Sequence, residues 1–284
     1  MKTNGTTAGV LAALGISVTA AIALPLVNIF KELSAPELMI VRGGVTAAVV
    51  LPLFWRHIAK PSKHIITFSF LFSMATLALY AGIRTWGASP TLVVITATPV
   101  VNIAAKIWRG QKVARRVYVC LFFLIIGVGI ALNPFQASFN TLGLLLSVVA
   151  AAIAGVAFEV LSAEKGVDQY NKSFWLAVIT VGVGTTVSIT GNHLPFSQEV
   201  WSIGRFLALV GFGVTGGFLY YLSNIIAFEK LKTEVASTLA MAETPAVIIG
   251  AWLMLGEKLS PVQWTGVLLA LGATFALGRA ENKD

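Results

Sequence analysis

The chain has 284 residues, 57% of them hydrophobic and only 11% charged, with a mean hydropathy of +0.84. Soluble domains carry about 25% charged residues; a chain this poor in charge cannot clothe a water-facing surface, so lipid must be its solvent. Its net charge of +8 comes with no aromatic–basic recognition motif, which argues against a nucleic-acid partner, and no stretch offers room for a separate enzymatic domain.

Each crossing of a bilayer takes about 20 mostly apolar residues, and the sequence reads as ten such spans in one all-α polytopic membrane domain. The first, 7–30, follows a single lysine and has full length, so it reads as a helix rather than a cleavable signal. The second, 36–56, carries Arg42 near its outer end, where the side chain is expected to snorkel to the headgroups. The third, 64–84, bears Ser69, Ser73, Thr76 and Tyr80 along one helical face. The fourth, 89–108, does the same with Thr98, Asn102 and Lys106. The fifth, 114–132, holds the single Cys120, which excludes an internal disulfide. After the break LNPFQASFN come 141–164, with Glu159 towards its end, and 171–191. The eighth, 203–228, contains the run GFGVTGG and then Tyr220, Tyr221 and Asn224. The ninth, 235–255, carries Glu243-Thr244-Pro245, and the tenth is 261–278.

With the N-terminus placed in the cytoplasm, fifteen of the 20 Lys and Arg residues fall inside; Lys31, Arg84, Arg205 and Lys258 fall outside and Arg42 within a span. That positive-inside bias predicts a multi-pass protein of the cytoplasmic (inner) membrane with both termini cytoplasmic. It also accounts for most of the net charge.

One phrase occurs twice. Thr98–Lys112, TPVVNIAAKIWRGQK, returns 146 positions later as Thr244–Lys258, TPAVIIGAWLMLGEK, matching Thr98/Thr244, Pro99/Pro245, Val101/Val247, Ile103/Ile249, Ala105/Ala251, Gly110/Gly256 and Lys112/Lys258. The offset carries the fourth span onto the ninth, five helices on. Five is odd, so the second copy crosses in the opposite direction. Residues 1–135 and 136–284 are therefore expected to form two five-helix repeats of inverted topology, the architecture of many secondary transporters. Pro99 and Pro245 should each kink a helix beside a central cavity. Gly256 is expected to end the ninth helix in a left-handed conformation and Ser260-Pro261 to start the tenth, which leaves Glu257 at a surface turn, read as structural.

The two motifs, TP-x10-GQK and ETP-x10-GEKLSPVQWTGVLLALGATFAL, resemble the drug/metabolite transporter superfamily, in particular its EamA-type ten-helix branch, over essentially the whole chain. The first departs from the second in having Gln111 where the second has Glu257, and Arg115-Arg116 where the second has its serine–proline start. The RGQK turn is similar to that of the bacterial aromatic amino-acid exporters of that superfamily. The resemblance implies transport of a small metabolite; no cofactor and no metal are expected.

Candidate transport residues follow from cost. An acid inside a span is expensive enough to count as a functional candidate, and Glu243 sits beside a proline that frees a backbone carbonyl. It offers a group that can exchange a proton or hold a substrate ammonium; the bland reading is a hydrogen bond between helices. Glu159 lies close enough to the cytoplasmic end to extend to the interface. Ser73, Tyr80, Thr98, Asn102, Tyr221, Asn224, Glu243 and Thr244 are the expected substrate-binding residues, on faces that would line a polar cavity or, alternatively, glue helix to helix. The glycines of the eighth span read as close packing, with a hinge as the other option. His57, His64 and His193 lie in loops without metal-ligand spacing, and no phosphate-cradling loop appears.

These readings converge on a secondary transporter that exports small metabolites, foremost amino acids including aromatic ones, by alternating access, with protons as a candidate coupling ion. Efflux of drugs or organic cations attracted to Glu243 is the alternative; a membrane enzyme or a sensor ranks behind, since no acid–base or nucleophile constellation is present.

Overall fold

The computed structural model describes residues 3–30, 32–132, 140–191, 202–256 and 260–281. Its elements are α1 (Thr3–Ile29), α2 (Ala35–Phe54) with a short turn Trp55–His57, α3 (Lys63–Trp86), α4 (Ala88–Ile95), α5 (Thr98–Trp108), α6 (Arg115–Leu132), α7 (Thr141–Ala163), α8 (Gln169–Thr190), α9 (Ile203–Phe212), a π-helical stretch Gly213–Leu219, α10 (Tyr220–Lys230), α11 (Thr233–Ala240), α12 (Glu243–Leu255) and α13 (Pro261–Glu281). Among the described residues, eight helical stretches are long and apolar enough to cross a membrane: Gly5–Val27, Ala35–His57, Lys63–Trp86, Thr141–Ala163, Gln169–Thr190, Ile203–Lys230, Thr233–Met254 and Pro261–Ala280. The segments expected as fourth and fifth spans are occupied by α4 with α5 and by α6.

Local chemistry sets the ends. Ser34 and Glu37 form a reciprocal capping box at the start of α2. Ser62 accepts from the Ile65 amide at 3.1 Å before α3, and Asn140 accepts from Gly143 at 2.9 Å before α7. Ser260 and Gln263 bond to each other's backbone N–H at 3.2 and 2.9 Å ahead of α13. Gly110 and Gly256, equivalent in the repeated phrase, both have positive φ, 70° and 67°, and Gly256 is the left-handed cap of α12. Glu257, Lys258, Lys31 and His193 lie outside the described residues.

The prolines do more than kink. The ring of a proline clashes with the carbonyl four residues back and leaves it without a backbone donor; for Pro99 that carbonyl belongs to Ile95, and for Pro245 to Met241. α4 stops at Ile95 and α5 starts at Thr98, while α11 stops at Ala240 and α12 starts at Glu243. Both helices are broken at the same place relative to their prolines. The freed carbonyls are taken up locally, that of Ile95 by the Thr98 hydroxyl at 2.7 Å and that of Met241 by the Thr244 amide at 3.2 Å.

Packing is dominated by pairs that join the chain before residue 133 to the chain after residue 139: α2 along α8, α3 along α7, α6 along α13, and α1 along both α10 and α12. Small residues permit this closeness. A Cβ on Gly43 would lie 2.6 Å from the Ala177 carbonyl oxygen, one on Gly184 would lie 2.8 Å from that of Pro36, and one on Gly250 would collide with the Ala21 carbonyl. The glycines of the π-helical stretch serve the same purpose: Gly213 faces Val45, Gly216 faces Ala23, and Gly217 faces Thr46 and the Arg42 carbonyl.

Charges gather at one end of the bundle. Thr7 and Arg279 line one groove there, so the start of α1 and the end of α13 lie together. The same end holds the ion pairs His57–Asp168 (3.0 Å), His64–Glu164 (3.2 Å), Lys106–Glu234, Arg109–Glu159 (2.7 Å) and Lys172–Glu229 (3.5 Å). The opposite end carries Arg205–Glu32 at 3.2 Å, and Arg84 donates there to the carbonyls of Phe30 and Leu33.

Candidate functional site

Three breaks in regularity and one close helix contact converge on the middle of the bundle. The interruption between α4 and α5 places Ile95 and Thr98 there; the one between α11 and α12 places Ala240, Met241 and Glu243 there. The π-helical stretch adds one residue to its turn and so rotates the start of α10, which carries Tyr220 and Asn224. The tight seat of α2, with Gly43 on α8 and Thr46 against Gly217, turns Arg42 inward. Together with Phe72, Thr76 and Phe158 these residues surround a cavity of about 50 Å³. That is room for about one or two waters. The cavity is narrow in this conformation, and a metabolite would need it to widen.

Arg42 corrects the sequence reading. It does not snorkel: the residue is 5% exposed. Its guanidinium carbon lies 4.7 Å from the ring centre of Tyr220 and 4.6 Å from that of Tyr221, and Nη1 donates to the Tyr80 hydroxyl at 3.2 Å. Among the described residues it has no carboxylate partner in an ion pair, and its Nε has no hydrogen-bond partner. Burying a cation costs several kcal/mol; each cation–π contact returns about 0.5–2 kcal/mol. The signal in the sequence is one charge inside MIVRGGVTAAVV, flanked by glycines that announce a close helix contact.

Glu243 is the acid of the same cavity. It is 4% exposed, and its Oε2 accepts from the Tyr220 hydroxyl at 3.0 Å. As the first residue of α12 it also sits where a helix dipole favours negative charge. Tyr220 therefore stands between acid and base, its hydroxyl on Glu243 and its ring under Arg42.

The remaining expected residues divide. Thr98 and Asn224 line the cavity with Glu243; Asn224 donates to the Tyr220 carbonyl at 2.9 Å while its own Oδ1 has no partner. Tyr80 and Tyr221 sit one layer back, holding Arg42. Ser73 instead bonds the Thr180 hydroxyl at 2.8 Å, tying α3 to α8. Asn102 donates to the Gly155 carbonyl at 2.8 Å, tying α5 to α7. Thr244 meets Thr96, tying one broken helix to the other. Glu159 reaches the charged end of the bundle and pairs with Arg109. Lys172, one of the fifteen cations counted on the cytoplasmic side, is fully buried at the start of α8. Its Nζ donates to the Glu164 carbonyl at 2.8 Å and faces Glu229.

In comparison with known proteins, residues 140–279 match the sequence model of the EamA-like transporter family. A solved crystal structure superposes with a TM-score of 0.76, covering 98% of this chain and 99% of its own, at 16% identity; at that identity the likeness is one of fold. No curated protein sequence matches the chain.

Proposed function

We propose that the chain is a membrane transporter of the EamA-like family, in the drug/metabolite transporter superfamily, built as ten spans in two inverted halves, 1–135 and 136–284. It exports small metabolites, foremost amino acids including aromatic ones, across the inner membrane by alternating access, with both termini cytoplasmic. The match of residues 140–279 supports the family. The pairing of helices supports the halves. Exchanging the first five expected spans for the last five turns the α3–α7 contact into α1–α10 and the α1–α12 contact into α5–α7, and leaves α2–α8 and α6–α13 unchanged; all of these contacts occur.

The single observation that carries the transport reading is the narrow central cavity. It is lined by residues from both sides of the 133–139 segment, with Arg42, Thr98, Asn224 and Glu243 as polar groups among Phe72, Phe158 and Ile95. Half-helix ends at a midplane site are the usual equipment of transporters, and inverted halves allow one fold to open to either side. Proton exchange on Glu243 is the coupling route this geometry favours. The second reading, efflux of organic cations, is favoured by the burial of the same carboxyl. Purified protein in vesicles, tested for uptake of labelled amino acids against labelled organic cations, separates the two: amino-acid uptake above empty vesicles supports the first, and cation uptake alone overturns it.

A further inference from the structure

We infer that Arg42 receives the substrate's carboxylate and that Glu243 with Asn224 receives its ammonium group, so that the site selects intact zwitterionic α-amino acids over the corresponding amines. The inference rests on the transport reading above and specifies its substrate class.

The argument is one of unfinished hydrogen bonding. Buried polar groups in native proteins almost always find partners, and three groups around this cavity have spare capacity. Arg42 uses Nη1 on Tyr80 and leaves Nε without a partner. Asn224 uses its amide nitrogen on the Tyr220 carbonyl and leaves Oδ1 without one. Glu243 has one named donor, Tyr220, at Oε2, while a carboxylate has room for several. The spare donors are on one side chain and the spare acceptors on two others. That arrangement fits a ligand carrying both an acceptor and a donor head, as an α-amino acid does. A guanidinium presents a planar fork matched to a carboxylate's two oxygens, and Tyr80, Tyr220 and Tyr221 fix its plane from three directions. Phe72 and Phe158, 5.7 Å apart between ring centres, form the apolar wall against which a substrate side chain would lie. An amine or quaternary cation would leave Arg42 as a buried charge without a counter-ion and place a second cation beside it.

The test uses the full chain in vesicles, with labelled L-phenylalanine and phenethylamine, its decarboxylated counterpart, as probes. The parent protein should move phenylalanine at least ten times faster than the amine. Arg42→Gln should lower phenylalanine transport at least tenfold and leave the amine unchanged or faster, so that the discrimination collapses. Arg42→Lys, which keeps the charge and loses the fork, should fall between. In the parent protein alone, phenylalanine should raise the unfolding temperature and phenethylamine should not, a measurement that needs no variant to fold. Parental transport of phenylalanine by a folded Arg42→Gln protein, or equal stabilisation of the parent by both probes, overturns the inference while leaving amino-acid transport standing. A parent that moves the amine and no amino acid overturns both.

Discussion

The hydroxyls of Thr96 and Thr244 meet at 3.2 Å, 148 positions apart in the chain. Thr96 sits in the break between α4 and α5, Thr244 in the first turn of α12, so this contact clasps the two broken helices at their weakest points. The Thr96 hydroxyl donates its one proton to the Leu92 carbonyl at 2.7 Å, which makes Thr244 the donor across the clasp. Thr96→Val leaves a buried donor without an acceptor and should cost about 1–3 kcal/mol; Thr244→Val leaves only an acceptor and should cost about 1 kcal/mol or less. Chemical unfolding in detergent measures both. The double variant should fall short of their sum, since the two residues share one interaction.

Glu243→Gln keeps the shape and the oxygen that accepts from Tyr220 while removing the charge. The variant should insert, purify and unfold like the parent, yet transport amino acids at least about tenfold more slowly, the equivalent of 1.4 kcal/mol or more of lost stabilisation. Glu257→Gln should transport at close to the parent rate. Parent-like transport by Glu243→Gln would reduce the acid to a helix-to-helix hydrogen bond with Tyr220.

The proposed ten spans with cytoplasmic termini would place the turns in alternation. Reporters fused after Lys60, Lys112 and Lys165 should give a cytoplasmic signal, and reporters after Gly87 and Asn140 should give an external one. A cytoplasmic signal after both Gly87 and Asn140 would remove α3 to α6 from the spanning set and the inverted halves with them.

The Lys106–Glu234 pair joins α5 to α11 near the charged end of the bundle, with side-chain exposures of 16% and 4%. Removing one partner of a buried pair strands the other, at about 3–5 kcal/mol, whereas replacing both by apolar residues is often close to neutral. Lys106→Met alone should therefore destabilise strongly, and Lys106→Met with Glu234→Leu should recover most of the loss in thermal unfolding. If the double variant is as unstable as the single one, the pair is more than a local contact.

Much of this architecture is legible in the residues because membrane helices announce themselves. Long apolar runs locate the helices, the repeated TP phrase locates both breaks, and the glycine turns mark two caps. Rotation about each helix axis is harder to read. In water, a polar face points outward and an apolar one inward; in lipid both faces are apolar, and small polar residues serve a cavity or a neighbouring helix equally well. Ser73, Asn102 and Thr244 illustrate this, each bonded to another helix. Arg42 escapes the sequence for the same reason. A long side chain near a helix end can reach water or fold inward, and what decides is the seating of Gly43 on α8 and of Thr46 on Gly217, a three-dimensional fact. In the sequence Tyr220 is one more aromatic; the π-helical turn before it sets its direction.

The principal helix pairs all connect residues before 133 to residues after 139, and this constrains how the protein is made. Chains usually fold unit by unit as they leave the ribosome, the N-terminal unit first. Here the early part emerges with the faces of α1, α2, α3 and α6 uncovered and must wait in the bilayer for partners still being synthesised. Cut at the 133–139 segment and produced as two polypeptides, neither piece should survive alone, and the two together should assemble into the working protein. The covalent link supplies proximity; the interface supplies the fold.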